Sequence, residues 1–356
     1  MDEKTNTAQS KSATINDVAK LSGASIATVS RVLSGSNYPV SEEMRKRVLD
    51  ATHALRYSPN LLGHMLKSKT NKCLGIIIPS FQNPFFIQLT MGIENAAKSQ
   101  GYVSFVFSSQ RDTRTEQMLI SQIQQLKISG LLLSATDHNP DAVNAFLDTG
   151  ASAAIFEADY PLDPRAINAT SNMDENGYIA TCHLLESGHR SIALLTTPLT
   201  KHSRQMVSRG YHQAMDSYHI PPEAQAVFES NYERDLDDAL FEFEAGKELT
   251  KQLLSSARSY SAVVAVNDLV AWGIIHQLTQ EGIRVPGDIS VIGIDDIPQG
   301  MMISPTLTSI SQDSYQHGYD VCLRLIERLE SGNMIPHERC YRKPNLIIRE
   351  STRPFS

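Results

Sequence analysis

From Cys73 to Ile294 the sequence alternates short apolar runs with longer stretches of helical periodicity, and no other feature restricts the fold as strongly. Leu74–Ile78, Val103–Phe107, Gly130–Ser134, Ala153–Phe156, Ile192–Leu195, Ala262–Val266 and Ser290–Ile294 are short enough and apolar enough to be strands buried on both faces. Between them, Phe85–Gln100, Thr115–Leu126, Gly177–Ser187, Val207–Tyr218 and Asp268–Gln280 have helical spacing. Strand-helix alternation of this kind predicts doubly wound parallel sheets covered by helices. Some 280 residues exceed what one such sheet organises, so two lobes are expected. We place lobe one at about 73–165 plus 296–330, and lobe two at about 166–295 plus 331–356.

In open α/β sheets a ligand binds at the carboxyl ends of the strands. The loops there carry Phe81, Asn83 and Phe85, then Arg111, Ser134 with Asp137 and His138, Glu157, Asn267-Asp268, Asp295-Asp296 and Gln312-Asp313. Carboxylates, amides and one guanidinium among aromatic rings suit a sugar, whose hydroxyls need donors and acceptors and whose C–H face packs on rings. Several positions have a second reading. Asn267 and Asp295 also suit capping of the next segments in the chain, and Arg111 also suits a surface charge. Phe86 and Trp272 read as core, and Asp296 as solvated or structural.

The first 72 residues have a different character. They hold 11 Lys/Arg and 6 Asp/Glu, in a chain whose net charge is −7, so a basic head precedes an acidic body. Thr14 with Asp17 three residues later has the form of a capping box. The helix it opens ends at Gly23, and Ser25 caps a second helix through Leu33. Val18, Ala19, Ala24, Val29 and Leu33 are expected inside. Ile26, Ala27, Thr28, Ser30 and Arg31 are expected outside, where small, hydroxylated and guanidinium side chains suit the major groove. Ser41 caps a third helix with Arg45, Lys46 and Arg47 on one side and Val48, Leu49, Ala51, Thr52 and Leu55 on its apolar face. The other reading is a three-helix mini-domain with a merely solvated polar face. The segment after the third helix favours DNA: Pro59 opens a short helix with Leu62 and Leu66 on one face, suited to wedging between base steps in the minor groove.

The segments TINDVAKLSGASIATVSRVLSG and VSEEMRKRVLDATHALRYSPN, closed by Leu66, resemble the head and hinge of the LacI/GalR family of bacterial repressors, and the resemblance runs through the body. It implies an all-α helix-turn-helix head with a hinge helix, then an α/β periplasmic-binding-protein-like effector domain of two doubly wound lobes. The implied boundaries are a disordered tail at 1–13, a head at 14–58, a hinge and linker at 59–72, and an effector and dimerisation domain at 73–356. It further implies DNA contacts from Thr14, Ser25, Ile26, Ala27, Thr28, Ser30, Arg31, Asn37, Asn60, His64 and the intercalating Leu66. Effector contacts are implied for Phe81, Asn83, Phe85, Arg111, Ser134, Glu157, Asn267, Asp295 and Gln312, with Phe241 as an aromatic closing the cleft. The implied partners are double-stranded operator DNA, a sugar or sugar-phosphate effector and a second copy of the chain.

The sequence departs from the family pattern in three places. Gly63-His64 replaces the usual Ala-Arg and weakens the hinge helix by about 0.5–1 kcal/mol relative to alanine. Val207 stands where an Arg or Lys is common, leaving Arg204 or Arg209 to compensate. An acidic run at 230–239 lengthens a loop at the cleft rim.

Other classes are disfavoured. GxGxxG, GxxxxGK[ST], HExxH and GxSxG are all absent from the sequence, so neither catalysis nor a cofactor is expected. Four scattered cysteines and eleven dispersed histidines give no metal spacing. A polar first fifteen residues and the lack of any 18-residue apolar stretch argue against secretion or a membrane span, and for a cytoplasmic location. The competing class, a solute receptor, fits the body but not the basic head.

Overall fold

The computed structural model describes residues 13–33, 38–57, 72–136, 138–231 and 240–355. The chain divides into two compact units at Asn71/Lys72. Asn37, Asn60, Gly63, His64, Leu66, the rest of the expected hinge helix, Asp137 and residues 232–239 of the acidic run lie outside the described residues.

In the first unit, α1 (Ile15–Ser22), α2 (Ile26–Leu33) and α3 (Glu42–Ala54) enclose a small core of Val18, Ala19, Val29, Val32, Val48 and Ala51. The capping box closes as expected: the Asp17 carboxylate accepts from the Thr14 backbone N–H at 2.8 Å, while Thr14 Oγ1 accepts from the Asp17 N–H at 3.4 Å. Gly23 ends α1 with φ +66°, a left-handed turn, and a Cβ there would meet the Arg47 guanidinium at 2.6 Å. Two details differ from the periodicity. Val32 takes the inward position that the spacing gave to Leu33, which is only half-buried, and Leu49, expected on the apolar face of α3, is exposed.

The second unit contains two six-stranded sheets. The first runs β11-β5-β4-β3-β1-β2 and the second β12-β10-β9-β8-β6-β7. The first comprises β1 (Cys73–Ile78), β2 (Val103–Ser108), β3 (Gly130–Ser134), β4 (Ser152–Phe156), β5 (Ile167–Thr170) and β11 (Arg339–Tyr341), all paired in parallel. The second comprises β6 (Ile192–Thr196), β7 (Ala226–Glu229), β8 (Ala262–Ala265), β9 (Ser290–Asp295), β10 (Thr308–Ser311) and β12 (Asn345–Ile347), with β12 alone antiparallel. The central strands β1, β3, β6 and β8 are buried along their whole length, as their continuous apolar sequences require.

Helices cover both sheets: α4 (Pro84–Ser99), α5 (Thr113–Gln125), α6 (Asp141–Leu147), α7 (Met173–Glu186), α8 (His202–Ser217), α9 (Phe241–Ser255), α10 (Asp268–Gln280) and α11 (Ser314–Ser331). α7 and α8 pack so closely that a Cβ on Gly210 would stand 1.9 Å from the Asp174 carbonyl, and one on Gly177 2.2 Å from the Val207 carbonyl.

The strand pairing corrects the expected division of the body. β5 belongs to lobe one, so the chain leaves that lobe after residue 170 rather than 165. Residues through β10 stay in lobe two, because β10 pairs with β9. β11 returns to lobe one before β12 ends in lobe two. The reason is that β5 and β10 are only four residues long and have no continuous apolar run. Thr308 and Ser309 of β10 are nevertheless fully buried, because their polar groups find partners: the Thr308 N–H donates to Ser351 Oγ at 2.8 Å and Ser309 Oγ to Asp268 at 2.6 Å. Among the described residues, no helix is long and apolar enough to cross a membrane.

Because backbone blocks both sides of the α7–α8 contact, Gly210→Ala is expected to lower unfolding free energy by about 1–3 kcal/mol or more, the usual cost of overpacking. Urea denaturation of the full chain checks this; an unchanged midpoint would show that the two helices separate freely.

Candidate ligand cavity and nucleic-acid interface

At the carboxyl ends of the strands of both sheets lies a cavity of about 1150 Å³, including its open mouth. Lobe one contributes Asn83, Phe85, Arg111, Ser134 and Glu157, and lobe two contributes Asn267, Asp295 and Gln312. Phe81, expected among them, is instead 52% exposed and outside the lining. The turn explains this: the Gln82 N–H donates to Ser80 Oγ at 3.0 Å, and Asn83 caps α4 by accepting from the Phe85 N–H at 2.9 Å, so Asn83 and Phe85 face the cavity and Phe81 does not.

Asn267 caps α10 and also lines the cavity. Its Oδ1 accepts from the Val270 N–H at 2.9 Å to cap α10, while its Nδ2 donates to Glu242 at 2.7 Å. Arg111 is not a free surface charge; it lies 3.5 Å from Glu242, with its guanidinium 5.9 Å from the Phe241 ring. Phe86 packs on the lobe-one core and also lines the cavity, whereas Trp272 packs on the lobe-two core. Asp296 is structural, paired with Arg349 at 2.6 Å.

Among the lining residues outside the nine expected contacts are two of opposite charge that meet, Arg204 and Glu242. Val207 is buried in the core, and Arg204, one turn earlier on α8, reaches the cavity and donates to Glu242 at 3.2 Å. Glu242 itself had no strong signal: it comes just after the acidic run, where the sequence reads as a solvated loop. Identifying Ala226–Glu229 as a strand would have marked the start of α9 as another carboxyl-end position.

The electrostatics of the wall are uneven. Burial pushes the Glu242 carboxyl up, but Arg111, Arg204 and the Asn267 amide together hold it below its ordinary value, so it is an anion. Burial raises Glu157 against the stabilising Ser171 N–H, which donates to it at 2.7 Å. Burial and then the neighbouring Asp268 raise Asp295 well above the usual carboxylate range. Gln312 links these groups, donating to Asp295 at 2.9 Å and lying 2.6 Å from the Ser171 hydroxyl. His317 also lines the cavity, edge-on to Phe156 at 5.4 Å; burial, then Arg342, pushes it down to about 4, so its ring is neutral. His138 is paired with Asp159. Among the described residues, no cluster is arranged to hold a metal ion.

In the head, α2 and its cap present Ser25, Ile26, Ala27 and, in the last turn, Arg31 to solvent, with Thr28 and Ser30 partly so. Ser25 Oγ accepts from the Thr28 N–H at 3.1 Å, fixing the helix start. Ile26 is half exposed although it is a large aliphatic residue, and the Arg31 guanidinium stacks 4.0 Å from the Tyr38 ring centroid. Thr14 is engaged in the capping box of α1, with its hydroxyl 2.7 Å from Asp17.

Two family profiles match the chain: "Bacterial regulatory proteins, lacI family" over residues 14–60, and "Periplasmic binding protein-like domain" over 181–352. The HTH-type transcriptional repressor PurR of Glaesserella parasuis serovar 5 is 31% identical over 346 residues, covering 96% of this chain and 98% of its own. The repressor of the same name from Aliivibrio fischeri is 31% identical over 343 residues, 95% and 98% of the two chains. Among solved structures, the lac repressor dimer bound to operator and the anti-inducer ONPF is 25% identical with a TM-score of 0.79, covering 96% and 100%. A LacI family transcriptional regulator from Enterococcus faecium with bound ribose is 25% identical with a TM-score of 0.70, covering 80% and 100%.

Beside the cavity, burial drives Asp268 up to about 7, against bonds donated by Ser309 and the Ile297 N–H. A carboxyl whose folded value exceeds its unfolded value of 3.8 binds more protons folded than unfolded between those two points, so stability falls as pH rises through that window. Asp268→Asn removes this titration. Its stability relative to the parent is therefore expected to improve steadily from about pH 4 to pH 7 and then level off. Urea melts of both proteins across this range test it, and a difference independent of pH would refute it.

Proposed function

The chain belongs to the LacI family of DNA-binding transcriptional repressors, and we propose that it acts as a homodimer on a near-palindromic operator under the control of a small polyhydroxylated effector. Family membership removes both the enzyme and the solute-receptor readings of the sequence. The effector part rests on one observation: eight of the nine expected contact positions line a single cavity at the strand carboxyl ends of both lobes.

In this reading, two heads place α2 in successive major grooves, and Leu66 of each hinge wedges into the minor groove between them. Ile26 and Ala27 read base edges, with an aliphatic side chain suited to a thymine methyl, and Arg31 holds a guanine edge or a phosphate. Thr14, Ser25, Thr28, Ser30, Asn37, Asn60 and His64 hold the backbone. In the body, Asn83, Arg111, Ser134, Glu157, Asn267, Asp295 and Gln312 supply donors and acceptors, and Phe85 packs on the ligand's C–H face. Ribose in the Enterococcus faecium relative supports this ligand class. The ligand alters lobe closure, and closure alters the spacing of the hinges.

Fluorescence anisotropy on a palindromic duplex selected by the protein tests both halves. A panel of aldoses, polyols and nucleobases is expected to yield a compound that shifts operator Kd by about 5- to 150-fold, the usual range of allosteric coupling. A panel that leaves Kd unchanged would refute control through the cavity. Leu66→Ala is expected to weaken operator binding at unchanged effector affinity, and Ile26→Ala to change discrimination at one base pair by about 1–3 kcal/mol. Retention of full operator affinity by Leu66→Ala would exclude a wedging hinge.

A further inference from the structure

Glu242 lies in the first turn of α9 with its side chain only 4% exposed, and its two oxygens face different lobes. On the lobe-one side, Oε2 accepts from Asn83 Nδ2 at 3.2 Å and stands 3.5 Å from the Arg111 guanidinium. On the lobe-two side, Oε1 accepts from Asn267 Nδ2 at 2.7 Å and from the Arg204 guanidinium at 3.2 Å. Two guanidiniums and two amides converging on one point form the donor set that recognises a carboxylate or phosphate. Two partly buried cations converging on one point are also stabilised by an anion between them. Here the chain supplies that anion itself. Elsewhere in the wall Glu157 and Asp295 face the same space, and Gln312 donates to Asp295.

We propose that Glu242 is a built-in anion that fills the subsite between Arg111 and Arg204, ties the two lobes together across the cleft without ligand, and confines the effector to uncharged polar compounds. The last clause rests on the effector reading above; the filled subsite and the tie are properties of the chain alone. Sugar phosphates and carboxylated sugars are thereby excluded unless they displace Glu242, whereas neutral sugars occupy the cavity beside it.

The test uses the full-length protein and inorganic phosphate as the anion probe, at constant ionic strength. The parent's melting temperature is expected not to respond to millimolar phosphate. Glu242→Gln is expected to gain a saturable, phosphate-dependent rise, because both guanidiniums have lost their internal partner. Hydrogen exchange is expected to speed up at least five-fold at the starts of α4 and α10, on both sides of the cleft. Arg111→Gln, at a position 28% exposed, keeps the test alive if Glu242→Gln does not fold. It is expected to show faster exchange at the start of α4 without any gain in phosphate response. A parent that binds phosphate, or a Glu242→Gln protein that does not, overturns the filled subsite. Unchanged exchange in Arg111→Gln or Glu242→Gln overturns the tie. If these expectations hold while no small molecule alters operator affinity, the effector reading fails and the latch stands.

Discussion

The chain passes between the two sheets three times, after β5, after β10 and between β11 and β12, and this threading governs everything else about the body. Neither lobe is a continuous segment, so neither completes its sheet until the far end of the sequence arrives. Three short connections hold the lobes together. The backbone is unusual at these connections and beside them. Asn172 and Asp313, at the first two passages, have φ of 54° and 45°, and Glu157 and Asp295, at the cavity, have φ of 51° and 121°. Asn and Asp accept the left-handed region more readily than other side chains, whereas Glu157 holds it at a cost. That cost is borne in the wall of the cavity.

Charge within the cavity arises from the same geometry. Helix starts and strand ends from both lobes bring four carboxyls, two buried and two half-buried, into one region, and of these only Glu242 has guanidinium partners at bonding distance. Glu242 is held as an anion by its two arginines, while Glu157, Asp268 and Asp295 are pushed toward the neutral acid. A neutral acid both donates and accepts a hydrogen bond, as does a sugar hydroxyl. The cavity thus combines one internally compensated ion cluster with a wall of largely uncharged polar groups.

Much of this was legible in the sequence because it rests on short-range rules. A capping box, a left-handed glycine and two helical stripes specify the helix pair of the head without tertiary information. Long apolar strands such as β1 and β3 announce a sheet buried on both faces, and the rule that ligands sit at strand carboxyl ends then points to Asn83, Ser134, Asn267 and Gln312. What escaped depends on long-range pairing. β5 and β10 have no continuous apolar run, and Thr308 and Ser309 of β10 are buried by virtue of polar partners that only the folded chain supplies. Phe81 looked like a ligand contact because aromatic rings suit sugars, but a local serine turn directs it to solvent. Glu242 was hidden because a buried acid is recognisable only by its partners, and those lie on four other segments.

That this protein is a sequence-specific repressor reading DNA through α2 is best tested by enrichment of duplexes from a random pool on the full-length chain. The expected product is one two-fold symmetric motif, with half-sites spaced for two heads in successive major grooves and with affinity that falls steeply as salt rises. A pool that emerges unenriched, or one enriched in a single asymmetric site, would contradict it.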